Sequence, residues 1–251
     1  MHVNSWRVRS SQIMLALLFG AISLLYATVA QAGGTSFLAL MALASFSPSA
    51  MRPTALMLNI VASTYSTWLF NRGKFVDWAK LTPLLVSSVP TALVGGLIIL
   101  DERHYKTVTG LALLLAAMVL AFRKANGGKP DRPIPLWGAI IIGAAVGFVS
   151  GLTGVGGGVF LAPILITVHW ASPRRTAALS SPFILANSVV GLAGAIYVGQ
   201  TPSVYTWLYA LAALAGAMIG TIVGLRWLSQ TTTCYLLAAI LCAAGIQLLA
   251  F

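Results

Sequence analysis

The chain reads as a series of long apolar blocks separated by short breaks rich in polar residues, glycine and proline. Ten blocks stand out: 12–30, 35–47, 53–70, 81–100, 105–122, 135–152, 157–170, 176–198, 203–225 and 231–251. A helix needs about 20 apolar residues to cross a bilayer. Most blocks reach that length, and blocks 35–47 and 157–170 are expected to be short helices. The pattern predicts an all-α polytopic membrane protein. The longest polar stretch runs from Arg123 to Pro133 and carries Gly127, Gly128, Pro130 and four basic residues, the composition of a linker. Placed at 125–134, it separates a first membrane repeat (1–124) from a second (135–251) within one integral membrane domain.

The halves resemble each other. Gly33-Gly34-Thr35-Ser36-Phe37-Leu38-Ala39-Leu40 aligns with Gly156-Gly157-Gly158-Val159-Phe160-Leu161-Ala162-Pro163 at an offset of 123, which also pairs Arg52 with Arg175, Ala55 with Ala178 and Leu56 with Leu179. Each half runs through a Gly-rich break, a short apolar block, a basic residue, a polar-spotted block and two longer ones. Five segments per half, whether the first two cross fully or form a re-entrant hairpin, make an odd number of crossings. The halves are therefore expected to be inverted repeats, a recurring transporter design with broken helices.

Composition sharpens this. Of 251 residues, 59% are hydrophobic and only 8% charged, against about 25% charged in an ordinary soluble domain, and the mean hydropathy is +0.92. That excludes a soluble globular enzyme and a disordered chain. The fifteen Lys and Arg against four acids give +11, but the bases are scattered in loops between apolar blocks, as membrane orientation requires, so no nucleic-acid partner is expected. Arg7, Arg9, Arg52, Arg103 and Lys106 fall on one side; Arg72, Lys74, Lys80, Arg123, Lys124, Lys129, Arg132, Arg174, Arg175 and Arg226 fall on the other. The second set is expected in the cytoplasm, with both termini outside, in a multi-pass protein of the bacterial inner (cell) membrane. Arg7 and Arg9, the apolar stretch Ile13 to Leu25 and Ala30-Gln31-Ala32 also fit a cleavable signal peptide. We read the segment as retained, because cleavage removes the partner of block 135–152. Cys234 and Cys242 lie about 12 Å apart on one helix, too far for a disulfide, and are read as buried small residues.

The densest chemistry is Gly151-Leu152-Thr153-Gly154-Val155-Gly156-Gly157-Gly158, five glycines in eight residues, followed by Pro163. A straight helix is unfavourable here, and open backbone at membrane depth survives only inside protein or beside a watery cavity. Freed N–H groups at the start of block 157–170 suit an anion, aided by the helix N-terminal dipole. Close helix packing is the simpler reading of any single glycine; for the cluster, echoed at Gly33-Gly34, a broken helix near a site is favoured. No Lys-Ser/Thr follows, so this is not a phosphate-binding P-loop.

Gly154-Val155-Gly156-Gly157-Gly158 with Pro163, then Arg175, Ala178 and Ser180, then Asn187-Ser188, resembles the second-half signature of the TauE/SafE-type sulfite exporter family. Length, duplicated five-segment halves and the lack of soluble domains match too. In the first half Gly33-Gly34-Thr35 stands where a fuller Gly run is typical, and Leu40 replaces the proline. The resemblance implies transport of a small sulfur-containing anion: sulfite, thiosulfate or a sulfonate.

Two helical faces carry polar residues. Asn59, Ser63, Ser66 and Thr67 share one; Thr176, Ser180, Asn187, Ser188 and Gly191 share another. Such faces are unfavourable toward lipid and are expected to turn inward. They either line a pathway or make interhelical hydrogen bonds, each worth about 0.6 kcal/mol on average. Arg175, like Arg52, either pairs with an oxyanion or sits at a membrane edge as an orientation residue, the simpler reading. Asp77, Asp101, Glu102 and Asp131 all fall in loops, so a buried carboxylate proton relay is not expected, and no His, Cys or carboxylate set suggests a metal, a cofactor or an enzyme. The leading expectation is a transporter that holds a small anion among Gly156, Gly157, Gly158, Thr153, Ser180, Asn187, Asn59, Ser63 and Arg175. The alternative is a non-transporting membrane assembly or anchoring subunit, with a packed interior and no polar cavity.

Overall fold

The computed structural model describes residues 3–28, 31–121 and 133–227, together with scattered positions between 235 and 249. Block 231–251 lies largely outside these, as do Cys234 and nearly all of the linker. Every regular element among the described residues is a helix: α1 (Val3–Ala27), α2 (Gly34–Leu43), α3 (Pro48–Arg72), α4 (Trp78–Leu97), α5 (Glu102–Ala121), α6 (Leu136–Thr153), α7 (Gly158–Thr167), α8 (Pro173–Tyr197) and α9 (Thr206–Trp227). Five contain spans long and apolar enough to cross a membrane: Ser10–Ala27, Trp78–Leu97, Leu136–Thr153, Arg175–Tyr197 and Thr206–Gly224. Helices α2 and α7 have 10 residues each, about 15 Å of rise, half of the roughly 30 Å hydrocarbon core. Helix α3 has 25 residues but falls outside the five spans because Arg52, Asn59, Ser63 and Ser66 interrupt it. All four are buried, so the polar face of α3 points into the protein, where lipid does not meet it.

The helices pair closely where glycine removes the side chain. Helix α6 lies along α4 through Gly143, Gly147 and Gly151, spaced four residues apart so that they share one face. A Cβ on Gly147 would stand 2.3 Å from the Ser88 carbonyl oxygen, and one on Gly151 2.0 Å from that of Ala92. Helix α9 lies along α1 in the same way, through Gly216, Gly220 and Gly224 against the carbonyls of Gly20, Leu24 and Thr28, and Ser23 Oγ donates to the Ala213 carbonyl at 2.6 Å. Helices α3 and α8 pack on each other between these two pairs, α3 against α9 and α8 against α4. Phe19, Phe37 and Tyr209 form an aromatic cluster that closes α1, α2 and α9 together.

The halves match element by element, with a shifting offset. Glycines in the left-handed region, Gly33 and Gly157, precede the two short helices. Ser47-Pro48 and Ser172-Pro173 open the two 25-residue helices in the same conformation. Gly34 and Gly158 are 124 positions apart, Pro48 and Pro173 125. A constant offset of 123 is therefore not kept: Arg52 is the fifth residue of its helix and Arg175 the third of its own. Glu102 is the first residue of α5 rather than a loop residue. Asp77 caps α4, accepting from the Lys80 backbone N–H at 3.3 Å. Asp101, just ahead of α5, hydrogen-bonds His104, which holds its carboxyl below the usual range. Cys242, read as buried, is exposed.

Candidate functional site

Helix α6 stops at Thr153 because Gly154 takes φ +79°, its N–H closing on the Ser150 carbonyl at 2.8 Å. The next two glycines, Gly156 (φ +89°) and Gly157 (φ +78°), also lie in the left-handed region, where any residue with a Cβ is strained. The chain thus turns through four residues and re-enters a helix at Gly158. No backbone hydrogen bond among the described residues uses the N–H of Gly156, Gly157 or Gly158 as donor, as expected for the first turn of a helix. All three residues are buried.

The break in the first half meets this one. Gly34 abuts the second loop so closely that a Cβ there would lie 2.4 Å from the Val155 carbonyl oxygen and 2.6 Å from Asn59 Nδ2. The start of α2 therefore touches the loop that leads into α7. Gln31 reaches across the same junction and donates to the Gly158 carbonyl at 3.3 Å. Asn59, from α3, donates to the Gly154 carbonyl at 3.3 Å. Ser188 Oγ and Asn59 Nδ2 flank Gly156, 3.2 and 2.9 Å from where its Cβ would be. Phe183 and Ser150 wall Gly157, and Ile184 packs on Gly158.

Most expected residues sit in or beside this junction. Asn59, Ser180 and Asn187 are fully buried, Ser63 and Thr153 nearly or wholly so. Ser63 Oγ donates to its own helix at the Asn59 carbonyl, 2.5 Å away. Thr153 Oγ1 donates to the Val149 carbonyl at 2.7 Å and accepts from the Val155 N–H, so its hydroxyl is engaged locally. Asn187 donates to the Phe183 carbonyl at 2.8 Å. Arg175 lies apart, exposed in the first turn of α8.

Arg52 is a different matter. It is 2% exposed, and its guanidinium donates to Gln200 Oε1 at 2.8 Å, the Ile98 carbonyl at 2.8 Å and the Gly96 carbonyl at 2.7 Å. The last two are carbonyls at the end of α4 that have no partner within the helix, where a cation is also favoured by the helix dipole. Arg52 therefore fastens α3 to the end of α4 and to the segment before α9, and its Cγ packs beside Gly154. Tyr105, buried in α5, holds the other flank of the break by donating to the Thr153 carbonyl at 2.7 Å. Neither role follows from residue type alone. Gln31 and Ser150 were also not foreseen as members of the site; Gln31 lies two residues ahead of the first Gly pair, where its position could have drawn notice.

Helices of membrane-crossing length, packed around two short helices whose glycine-broken starts touch inside the protein, define a multi-pass integral membrane protein of the transporter type. The family model described as "Sulfite exporter TauE/SafE" matches residues 14–248, and the chain belongs to that family. It is 39% identical over 243 residues to "Probable membrane transporter protein y4hK" of Sinorhizobium fredii, covering 94% of this chain and 98% of the relative. It is 26% identical over 219 residues to "Probable membrane transporter protein YunE" of Bacillus subtilis, covering 78% and 79%. Over 142 residues it is 30% identical to "Probable membrane transporter protein MJ0441" of Methanocaldococcus jannaschii, covering 55% and 53%. No solved structure shows a significant match. The chain is a membrane transporter of the TauE/SafE family.

Proposed function

We propose that this transporter moves a small sulfur-bearing anion, of the sulfite, thiosulfate or organosulfonate type, across the bacterial inner membrane. The observation that carries the reading is the opened backbone at Gly156–Gly158, whose buried N–H groups lack backbone partners among the described residues. An anion leaving water needs several donors at once, and the start of α7 supplies three N–H groups plus a dipole worth roughly 0.3–2 kcal/mol. Ser150, Ser180 and Ser188 hydroxyls stand free to add to these. The sulfur in the proposal comes from the family's description. The +11 charge and the lack of any carboxylate within the described interior favour an anion over a cation.

The halves, in this reading, are inverted five-segment repeats. Exchanging α1 with α6 and α4 with α9 turns the α4–α6 pair into the α9–α1 pair, and α3–α8 into itself, as any twofold relation between the halves requires; the odd number of segments per half is what favours an axis in the membrane plane. Arg175, exposed at a helix start, sets orientation rather than holding the anion. The rival reading, an anchoring subunit, requires a packed interior with no polar cavity; the buried and unpartnered polar atoms of Gln31, Asn59, Asn187 and Ser188 speak against it. Flux of sulfite, thiosulfate, alkanesulfonates and sulfate into proteoliposomes tests the proposal. Movement of at least one sulfur anion above protein-free vesicles supports it; none for any of them removes it.

A further inference from the structure

Three buried side-chain amides near the junction share an arrangement that a simple oxyanion does not satisfy. Gln31 Nε2, Asn59 Nδ2 and Asn187 Nδ2 each donate to a backbone carbonyl, of Gly158, Gly154 and Phe183. A carbonyl only accepts, so the amide nitrogen, not the oxygen, must face it. That fixes the orientation of all three groups. Their oxygens, Gln31 Oε1, Asn59 Oδ1 and Asn187 Oδ1, then have no hydrogen-bond partner, although the residues are 3%, 0% and 0% exposed. Gln31 Oε1 lies 2.7 Å from the Cβ position of Gly158 and Asn59 Oδ1 2.9 Å from that of Gly34, so both border the meeting point of the two breaks. Asn187 follows on α8 beside Ser188.

Amide oxygens accept and never donate. Facing a bare dianion, they repel it; facing a donor, they gain the hydrogen bond whose absence in a buried setting is costly. The unused groups of the junction are thus of two kinds: backbone N–H donors on α7 and amide acceptors around them. A cation could meet the acceptors, but it would sit beside the positive end of α7 and near Arg52, with no carboxylate within the described interior to balance it. A hydrogen carried on the anion meets them without adding positive charge. Resting on the anion reading above and narrowing it, we propose that the transported species is a monoanion that itself bears an O–H, such as hydrogensulfite or a hydroxyalkanesulfonate, and that fully deprotonated dianions, thiosulfate among them, are poor substrates.

The test compares isosteres. The full-length protein in proteoliposomes, at equal pH on both sides, transports labelled sulfite against competition by 2-hydroxyethanesulfonate or propane-1-sulfonate. These have the same charge and nearly the same size, and differ by OH against CH₃. One hydrogen bond of about 1 kcal/mol corresponds to roughly a fivefold difference, so the hydroxyl compound should compete at least about fivefold better. Sulfite flux at fixed total concentration should rise as pH falls from 8 to 6 and the hydrogensulfite fraction grows. Asn187→Leu, verified as monodisperse by size exclusion, should shrink the ratio of the two competitors toward one; if it does not fold, the isostere comparison decides alone. Equal competition, preference for the methyl compound, flux that follows the dianion, or flux that requires a sodium gradient overturns the inference while leaving anion transport standing. No flux of any sulfur anion overturns both.

Discussion

Asn59 donates from α3 to the carbonyl of Gly154 at 3.3 Å, so a side chain of the first half holds the residue that ends α6 in the second. The two breaks are consequently one structure. Neither half can shift its glycine turn without disturbing the other.

Removing that bond should be costly. Asn59→Leu keeps the approximate volume but leaves a buried carbonyl unpaired, a loss of about 1–3 kcal/mol. The melting midpoint in detergent should fall and sulfite flux should drop together. A variant as stable and as active as the parent would mean the contact is incidental.

Arg52 and Arg175 should separate cleanly. Arg52→Lys replaces a fork that reaches three acceptors by a point charge that cannot span them. At least one buried α4 carbonyl loses its partner, so the protein should be destabilised by about 1–3 kcal/mol. Arg175→Gln, at an exposed position, should change stability by no more than about 0.5 kcal/mol and leave flux within about twofold. Differential scanning fluorimetry of both, with flux of the second, checks this; strong loss of flux in Arg175→Gln would restore a substrate role for it.

The glycine stripes make a graded prediction. Gly151→Val places a Cβ where the Ala92 carbonyl oxygen already stands, 2.0 Å away, and should prevent α4 and α6 from closing, seen as loss of monodisperse protein. Gly199 also has φ +84° but nothing within 4 Å. Gly199→Ala should therefore cost only the conformational strain, about 1–2 kcal/mol. Equal outcomes for the two would contradict the packing account.

Much of this was legible in the sequence, for physical reasons. A bilayer demands apolar runs of fixed length, so most blocks within the described residues became helices within a few residues of their expected bounds, though α1 begins at Val3, well ahead of its block. Left-handed turns favour glycine, so the glycine run Gly154–Gly158 announced the break, and Asn59 and Asn187 announced the inward faces by being too polar for lipid. Arg52 was harder, because its acceptors are mainly backbone carbonyls of Gly96 and Ile98, and a carbonyl carries no residue-type signal. Gln31 was hidden inside Ala30-Gln31-Ala32, which reads equally well as a cleavage motif. The single offset of 123 failed twice over: the short helices already start 124 positions apart, and the connection from short to long helix is one residue longer in the second half, which makes it 125.

That motif yields its own prediction. Helix α1 packs along α9 through Gly20 and Gly216, and Gln31 bonds Gly158, so cleavage before Gly33 would strip one flank of the site. The intact mass of the purified protein should include residues 1–32; a mature chain beginning at Gly33 would contradict this.

The central claim is that an anion is held by the opened backbone at the start of α7. The most direct measurement is sulfite flux in proteoliposomes by Gly157→Ala beside the parent protein. A Cβ at this position meets strain at φ +78° and stands 2.9 Å from the Phe183 ring, which tilts the N–H groups away from a common point. The account predicts that flux falls at least about tenfold in protein that still purifies as a folded species. Undiminished flux through folded Gly157→Ala protein would contradict it.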